Sequence, residues 1–165
     1  MAILAKDVMV SPVVTVKADT PLKRAAEILD ENSFSGVPVV DDEDKIIGIL
    51  SETDILGYTR QIIGQPLRDP HQVFTKGKEV LHIDITHRGV EVIELVASTT
   101  VETLMTVDVI TATEQTKIYD VVKMMRENGI NRVPIVDENN VLLGIITRGD
   151  LVNAIINNWD NINSD

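Results

Sequence analysis

Apolar residues follow two spacings along this chain, and the same succession of spacings occurs twice. Leu22, Ala25, Ala26 and Leu29 fall at i, i+3, i+4 and i+7, which predicts a helix with one apolar stripe. The spacing then tightens to a continuous run at 37–40, an acidic Asp41-Asp42-Glu43-Asp44 and a second run at 46–50. Two β-branched runs about a short polar turn predict a hairpin. Ser51 opens a further helix with Ile55, Tyr58, Ile62 and Ile63 as its stripe, stopped by Gly64 and Pro66. The order then returns. Ile118, Val121, Val122 and Met125 form a stripe that ends at Asn128-Gly129, a good C-terminal signal. A run at 133–136, a turn at 137–140 and a run at 141–146 predict a second hairpin. A helix follows from Thr147, with Leu151, Val152, Ile155, Ile156 and Trp159 apolar. Short runs at 13–16 and 109–112 predict a strand ahead of each first helix. Thr20-Pro21 reads as N-cap and first helical residue, with Thr116 in the matching place.

The two series are one sequence written twice. Adding 96 to a residue number carries Met9 to Met105 and Leu56 to Val152 without a gap, and 13 of those 48 pairs are identical. Pro38/Pro134, Asp41/Asp137, Gly48/Gly144 and Asp54/Asp150 are among them. This is an internal duplication of a β-α-β-β-α unit, and the fold class is α+β. One unit alone is too small to bury a secure core, so two should pack together. Residues 1–66 hold the first copy, 67–100 an insertion without counterpart, and 101–165 the second copy with a short polar tail. In the insertion, 67–78 reads as loop, and the runs at 80–85 and 90–96 predict a hairpin, with a helix over 91–96 as the alternative.

Composition narrows the setting. Hydrophobic residues make up 44% of the chain but aromatics only 3%, so the core is aliphatic. Cysteine is absent, which excludes disulfides and thiol catalysis and fits a reducing, cytoplasmic setting. No apolar run approaches the ~18 residues of a membrane span, and the N-terminus lacks a signal-peptide pattern. A net charge of −11 makes nucleic acid and anionic membranes poor partners. It also means that a bound nucleotide needs locally placed positive charge.

The chemistry gathers where the second strand of each hairpin becomes a helix. Gly48-Ile49-Leu50-Ser51-Glu52-Thr53-Asp54 and Gly144-Ile145-Ile146-Thr147-Arg148-Gly149-Asp150 each set a hydroxyl and a carboxylate three residues apart. Such a pair is a capping pattern. A carboxylate can equally accept from two vicinal hydroxyls, and a helix N-terminus suits phosphate. The duplicated x-V-P-[IV]-V-D hairpin with its G-h-h-[ST]-x-x-D junction resembles the CBS domain, usually found in pairs. The resemblance covers about 6–63 and 101–158.

It implies a pseudo-two-fold pair of repeats with two adenosyl-ligand pockets in the cleft between them. AMP, ADP, ATP and S-adenosylmethionine are the implied ligands, and no cofactor is required. Carried over, Asp150 would take ribose hydroxyls and Thr147 would lie near phosphate, with Arg132 and Arg148 as phosphate partners. Thr111, Ala112, Val133 and Pro134 would line that adenine slot. In the other pocket the matching residues are Ser51 and Asp54, with Thr15, Val16, Val37 and Pro38 around the base. Gly36 stands where the second copy has Arg132, and Glu52 where it has Arg148, so the pockets should be unequal. The resemblance further implies a homodimer through the repeat helices and an energy-sensing, regulatory role toward another protein. No catalytic arrangement emerges. A structural dimerisation module with vestigial pockets, and a divalent-cation sensor built on the 41–44 acids, are the alternatives. His71, His82, Asp84 and His87 read as solvated surface rather than a metal set.

Overall fold

The computed structural model describes residues 2–63 and 94–162, with side chains given for most of them. The predicted elements at 64–93, the histidines among them, and the stops at Gly64 and Pro66 lie outside the described residues, as do the side chains of Ile62, Ile63, Ile155 and Trp159. Helix α1 (Leu22–Asn32) leads to strands β1 (Gly36–Val40) and β2 (Ile46–Ser51) and helix α2 (Glu52–Ile63). The second copy repeats this as α3 (Ile118–Asn128), β3 (Arg132–Val136), β4 (Leu142–Thr147) and α4 (Arg148–Ile162). Each hairpin forms its own two-stranded sheet. In the second, Arg132 pairs with Thr147, Val133 with Ile146 and Pro134 with Ile145.

The strands expected at 13–16 and 109–112 shrink to one residue each. Val16 bridges Val39 and Ala112 bridges Ile135, both in parallel. The reason is the proline. Ala112 N–H donates to Pro134 O (3.0 Å) and its carbonyl accepts from Val136 N–H (2.9 Å). The next rung back would need an N–H on Pro134, and proline has none. Pro38 stops the ladder at Val16 in the same way.

Helix starts also differ from expectation. Pro21 and Lys117 occupy the N-cap positions, without a side-chain cap. The Thr20 hydroxyl instead accepts from Lys17 N–H (3.1 Å), and Thr116 from Thr113 N–H (3.0 Å), so both close the preceding turn. At the other end the left-handed residue is Gly129 in α3 (φ 63°) but Ser33 in α1 (φ 55°). Residues 94–98 are helical, which corrects the expected strand there in favour of the helix alternative.

The acidic turn 41–44 is held as a turn. Asp41 Oδ1 accepts from the N–H groups of Glu43 and Lys45 (both 2.9 Å), and Asp137 Oδ1 does the same for Asn139 and Val141. Lys45 pairs with Glu43, whose hydrogen bond raises the ammonium pKa. Of the four acids, which the alternative reading took as a cation site, Asp41 thus has backbone partners and Glu43 a lysine.

The chain folds as two compact units that do not coincide with the sequence copies. One comprises Met1–Val14, Val40–Ile46 and Asp108–Asp165; the other comprises Thr15–Val39 and Ile47–Val107. Ala5 therefore joins Ala112, Val121, Met125, Val133, Ile135 and Ile146 in one core. Val101 joins Val16, Leu22, Ala25, Leu29, Val37, Val39, Leu50 and Ile55 in the other. Equivalent positions exchange sizes: Val16 and Ala25 answer to Ala112 and Val121. Expected stripe residues Val122, Val152 and Ile156 are instead exposed, at 44%, 54% and 62%.

Two methionines fasten the segments that complete the cores. Val10 exchanges both backbone hydrogen bonds with Ile145, and Thr106 does so with Ile49. Met9 then lies across Gly144, and Met105 across Gly48. A Cβ on Gly144 would meet Met9 Sδ at 2.5 Å and its Cγ at 2.9 Å; on Gly48 the Met105 distances are 2.6 and 3.0 Å. Gly144→Ala should therefore cost about 1–3 kcal/mol of stability through overpacking. Denaturant midpoints should show the loss, and combining it with Met9→Ala should give less than the sum of the two single losses.

Candidate functional site

Each S/T-x-x-D junction is built the same way. Thr147 N–H donates to Asp150 Oδ2 at 2.7 Å and the Thr147 hydroxyl donates to the same oxygen at 2.6 Å, while Asp150 N–H points at Thr147 Oγ1 at 3.4 Å. For Ser51 and Asp54 the three distances are 2.8, 2.6 and 3.3 Å. These are reciprocal caps on α4 and α2, so the capping reading of the motif holds in both copies. One oxygen carries both received bonds. Oδ1 is left as an acceptor among the described residues, half-buried at a helix N-terminus.

The residue after each hydroxyl starts the helix, tied to the loop before the hairpin. Arg148 N–H donates to Asn131 O and Glu52 N–H to Ser35 O, both at 3.1 Å. Sequence reasoning missed Asn131 and Ser35 because they act through backbone carbonyls, which carry no residue-type signal. It also missed Phe34, which neighbours Ser35 and is 40% exposed, whereas its counterpart Ile130 packs against the core.

The expected second-copy residues all fall in the unit containing α3 and α4. Arg132, in β3 opposite Thr147, is 9% exposed and is the buried charged side chain among the described residues. Arg148 is exposed, and Thr111, Thr147 and Asp150 are half-buried. Ala112, Val133 and Pro134 are buried. Val133 and Pro134 pair with β4, and the Pro134 carbonyl holds Ala112, so the V-P step is fixed between the bridge to Ala112 and β4. The first-copy residues fall together in the other unit: Thr15, Ser51 and Asp54 are half-buried, while Val16, Val37 and Pro38 are buried. Among the described residues no group of acids and histidines is placed to hold a metal, and no helix is long and apolar enough to cross a membrane.

Because both carboxylates cap, Asp54→Ala and Asp150→Ala should each cost about 1 kcal/mol of stability before any ligand is considered. Urea unfolding should give closely similar losses, since the two geometries match within about 0.1 Å.

Residues 5–60 and 101–157 each match the family model of the CBS domain. An uncharacterized protein of Methanocaldococcus jannaschii is 32% identical over 158 residues, 93% of this chain and 91% of its own length. The CBS domain pair of the protein MJ0100, crystallised with 5′-methylthioadenosine and S-adenosyl-L-methionine, aligns with a TM-score of 0.68 at 24% identity, over 95% of this chain and 98% of that one. The crystal structure of CBSX2 in complex with AMP aligns with a TM-score of 0.69 at 24% identity, over 93% and 96%. At these identities the two structures speak for the fold.

Proposed function

This chain belongs to the CBS-domain family, and on that premise we propose that it is a regulatory module that binds an adenosyl ligand and passes its occupancy to a partner protein. The observation that carries the reading is the available Oδ1 of Asp150 at the start of α4, a helix that Arg148 opens and whose preceding Thr147 pairs with Arg132. Its two lone pairs can accept both hydroxyls of a ribose while Oδ2 keeps the helix capped. Thr147 holds its other oxygen, and Arg132 and Arg148 supply the positive charge that a chain of net charge −11 must concentrate for a phosphate. That crystallised relatives hold AMP, or methylthioadenosine and S-adenosylmethionine, supports the adenosyl class.

A ligand at one hundred times its dissociation constant stabilises by ~2.7 kcal/mol, which for a protein of this size is a shift of a few degrees. A thermal-shift panel of adenosine, AMP, ADP, ATP and S-adenosylmethionine is the first test. Titration calorimetry on Arg132→Gln then separates phosphate from ribose. AMP should weaken about tenfold, the worth of one hydrogen bond to a charged group, while adenosine changes little. Equal losses for the two would remove the phosphate role.

A second reading has its own observation. Asp54 and Asp150 already serve as caps and the V-P steps as core, so these motifs have a structural use without any ligand. The exposed Tyr119, Val122, Val152 and Ile156 on α3 and α4 fit cover by a second copy. Light scattering should give twice the 18.2 kDa chain mass at tens of micromolar. A dimer that no adenosyl compound shifts would favour a purely structural module; a mass of one chain would remove the pairing.

A further inference from the structure

The two carboxylate sites share their geometry but not their charge. In both copies the cap distances agree within about 0.1 Å, and in both the next residue opens the helix by bonding the loop ahead of the hairpin. Geometry therefore gives them the same capacity for a ribose. The residues at equivalent positions diverge. Arg132 and Arg148 in the second copy are Gly36 and Glu52 in the first, and Thr113 in the second is Lys17 in the first. Counting Lys17, these three positions sum to +2 in the second copy and to zero in the first.

The placement sharpens the difference. Arg148 sits in the first turn of α4, where the helix dipole disfavours a cation and an arriving anion would offset that cost. Glu52 sits in the first turn of α2, where the dipole already favours it. A phosphate approaching Asp54 would meet two carboxylates at the same helix start. A group without negative charge would not, and the loop residue before the one that bonds Glu52 is Phe34, 40% exposed.

Resting on the adenosyl reading above, we infer that the two sites divide ligands by charge. The Asp150 site takes a phosphate-bearing adenosyl compound. The Asp54 site takes one without phosphate, neutral or cationic, for which a thioether or a sulfonium is the fitting class. The module then responds to two compounds rather than to two doses of one.

The test is titration calorimetry on the full chain with AMP, 5′-methylthioadenosine and S-adenosylmethionine. Asp150→Ala should weaken AMP roughly thirtyfold, and Asp54→Ala should weaken methylthioadenosine by a similar factor. Glu52→Gln leaves the cap in place and guards against alanine variants that fold poorly. It should weaken the positively charged S-adenosylmethionine two- to fivefold, the worth of one partly exposed charge pair, relative to neutral methylthioadenosine. Competition between AMP and methylthioadenosine for one site, or an equal effect of Glu52→Gln on both sulfur compounds, overturns the division. AMP bound through Asp150 with neither sulfur compound bound through Asp54 overturns this inference alone. Failure of all three ligands to bind overturns the adenosyl reading with it.

Discussion

Neither sequence copy closes its own core. Ala5, which precedes the first copy's helix α1, is fully buried among residues of the second copy, and Val101 is fully buried among those of the first. A repeat of this size has little apolar surface to spare. The contribution of each lead segment is therefore a requirement of the fold. The segment is fixed at three points: the buried side chain, the two-bond bridge to β2 or β4, and the methionine over a bare glycine. Because that glycine lies three residues ahead of Ser51 or Thr147, the clasp and the carboxylate site share one strand. What holds the core thus also fixes the strand from which each candidate site begins.

The two cores solve one packing problem with different residues. Where one has Val16 and Ala25, the other has Ala112 and Val121; Leu29 is answered by Met125. Each core keeps a large and a small residue across the same two positions, as tolerated core changes generally do. The candidate sites changed in the opposite sense. Their backbone and caps stayed fixed while charge was redistributed around them. Packing constrains volume and is indifferent to which copy supplies it, whereas recognition depends on the sign of a few charged groups.

Much of this was legible in the sequence because periodicity and duplication reinforce each other. The apolar stripe of α1, both hairpins and the left-handed stop at Gly129 follow from residue type and spacing alone. The failures have local physical causes. Thr20 and Thr116 look like caps, but their hydroxyls are committed to a turn; the strands before them end at a rung that proline cannot make. At the site, the sequence places Thr147 beside Asp150 but cannot say that both bonds fall on one oxygen. Nor does a Val-Pro step announce that it will be buried, because the same residues suit a pocket wall and a central strand.

The partition of the chain also bears on how it is made. A ribosome releases the protein from its N-terminus at a few residues each second. The unit of Thr15–Val39 and Ile47–Val107 is complete in sequence once Val107 has emerged. The other begins with Met1–Val14 yet cannot close until the stretch from Asp108 onward has followed. The segment Met1–Val14 is thus made well before most of the unit it joins. During that wait Leu4, Ala5 and Met9 are unsheltered, and the surface they will cover does not yet exist.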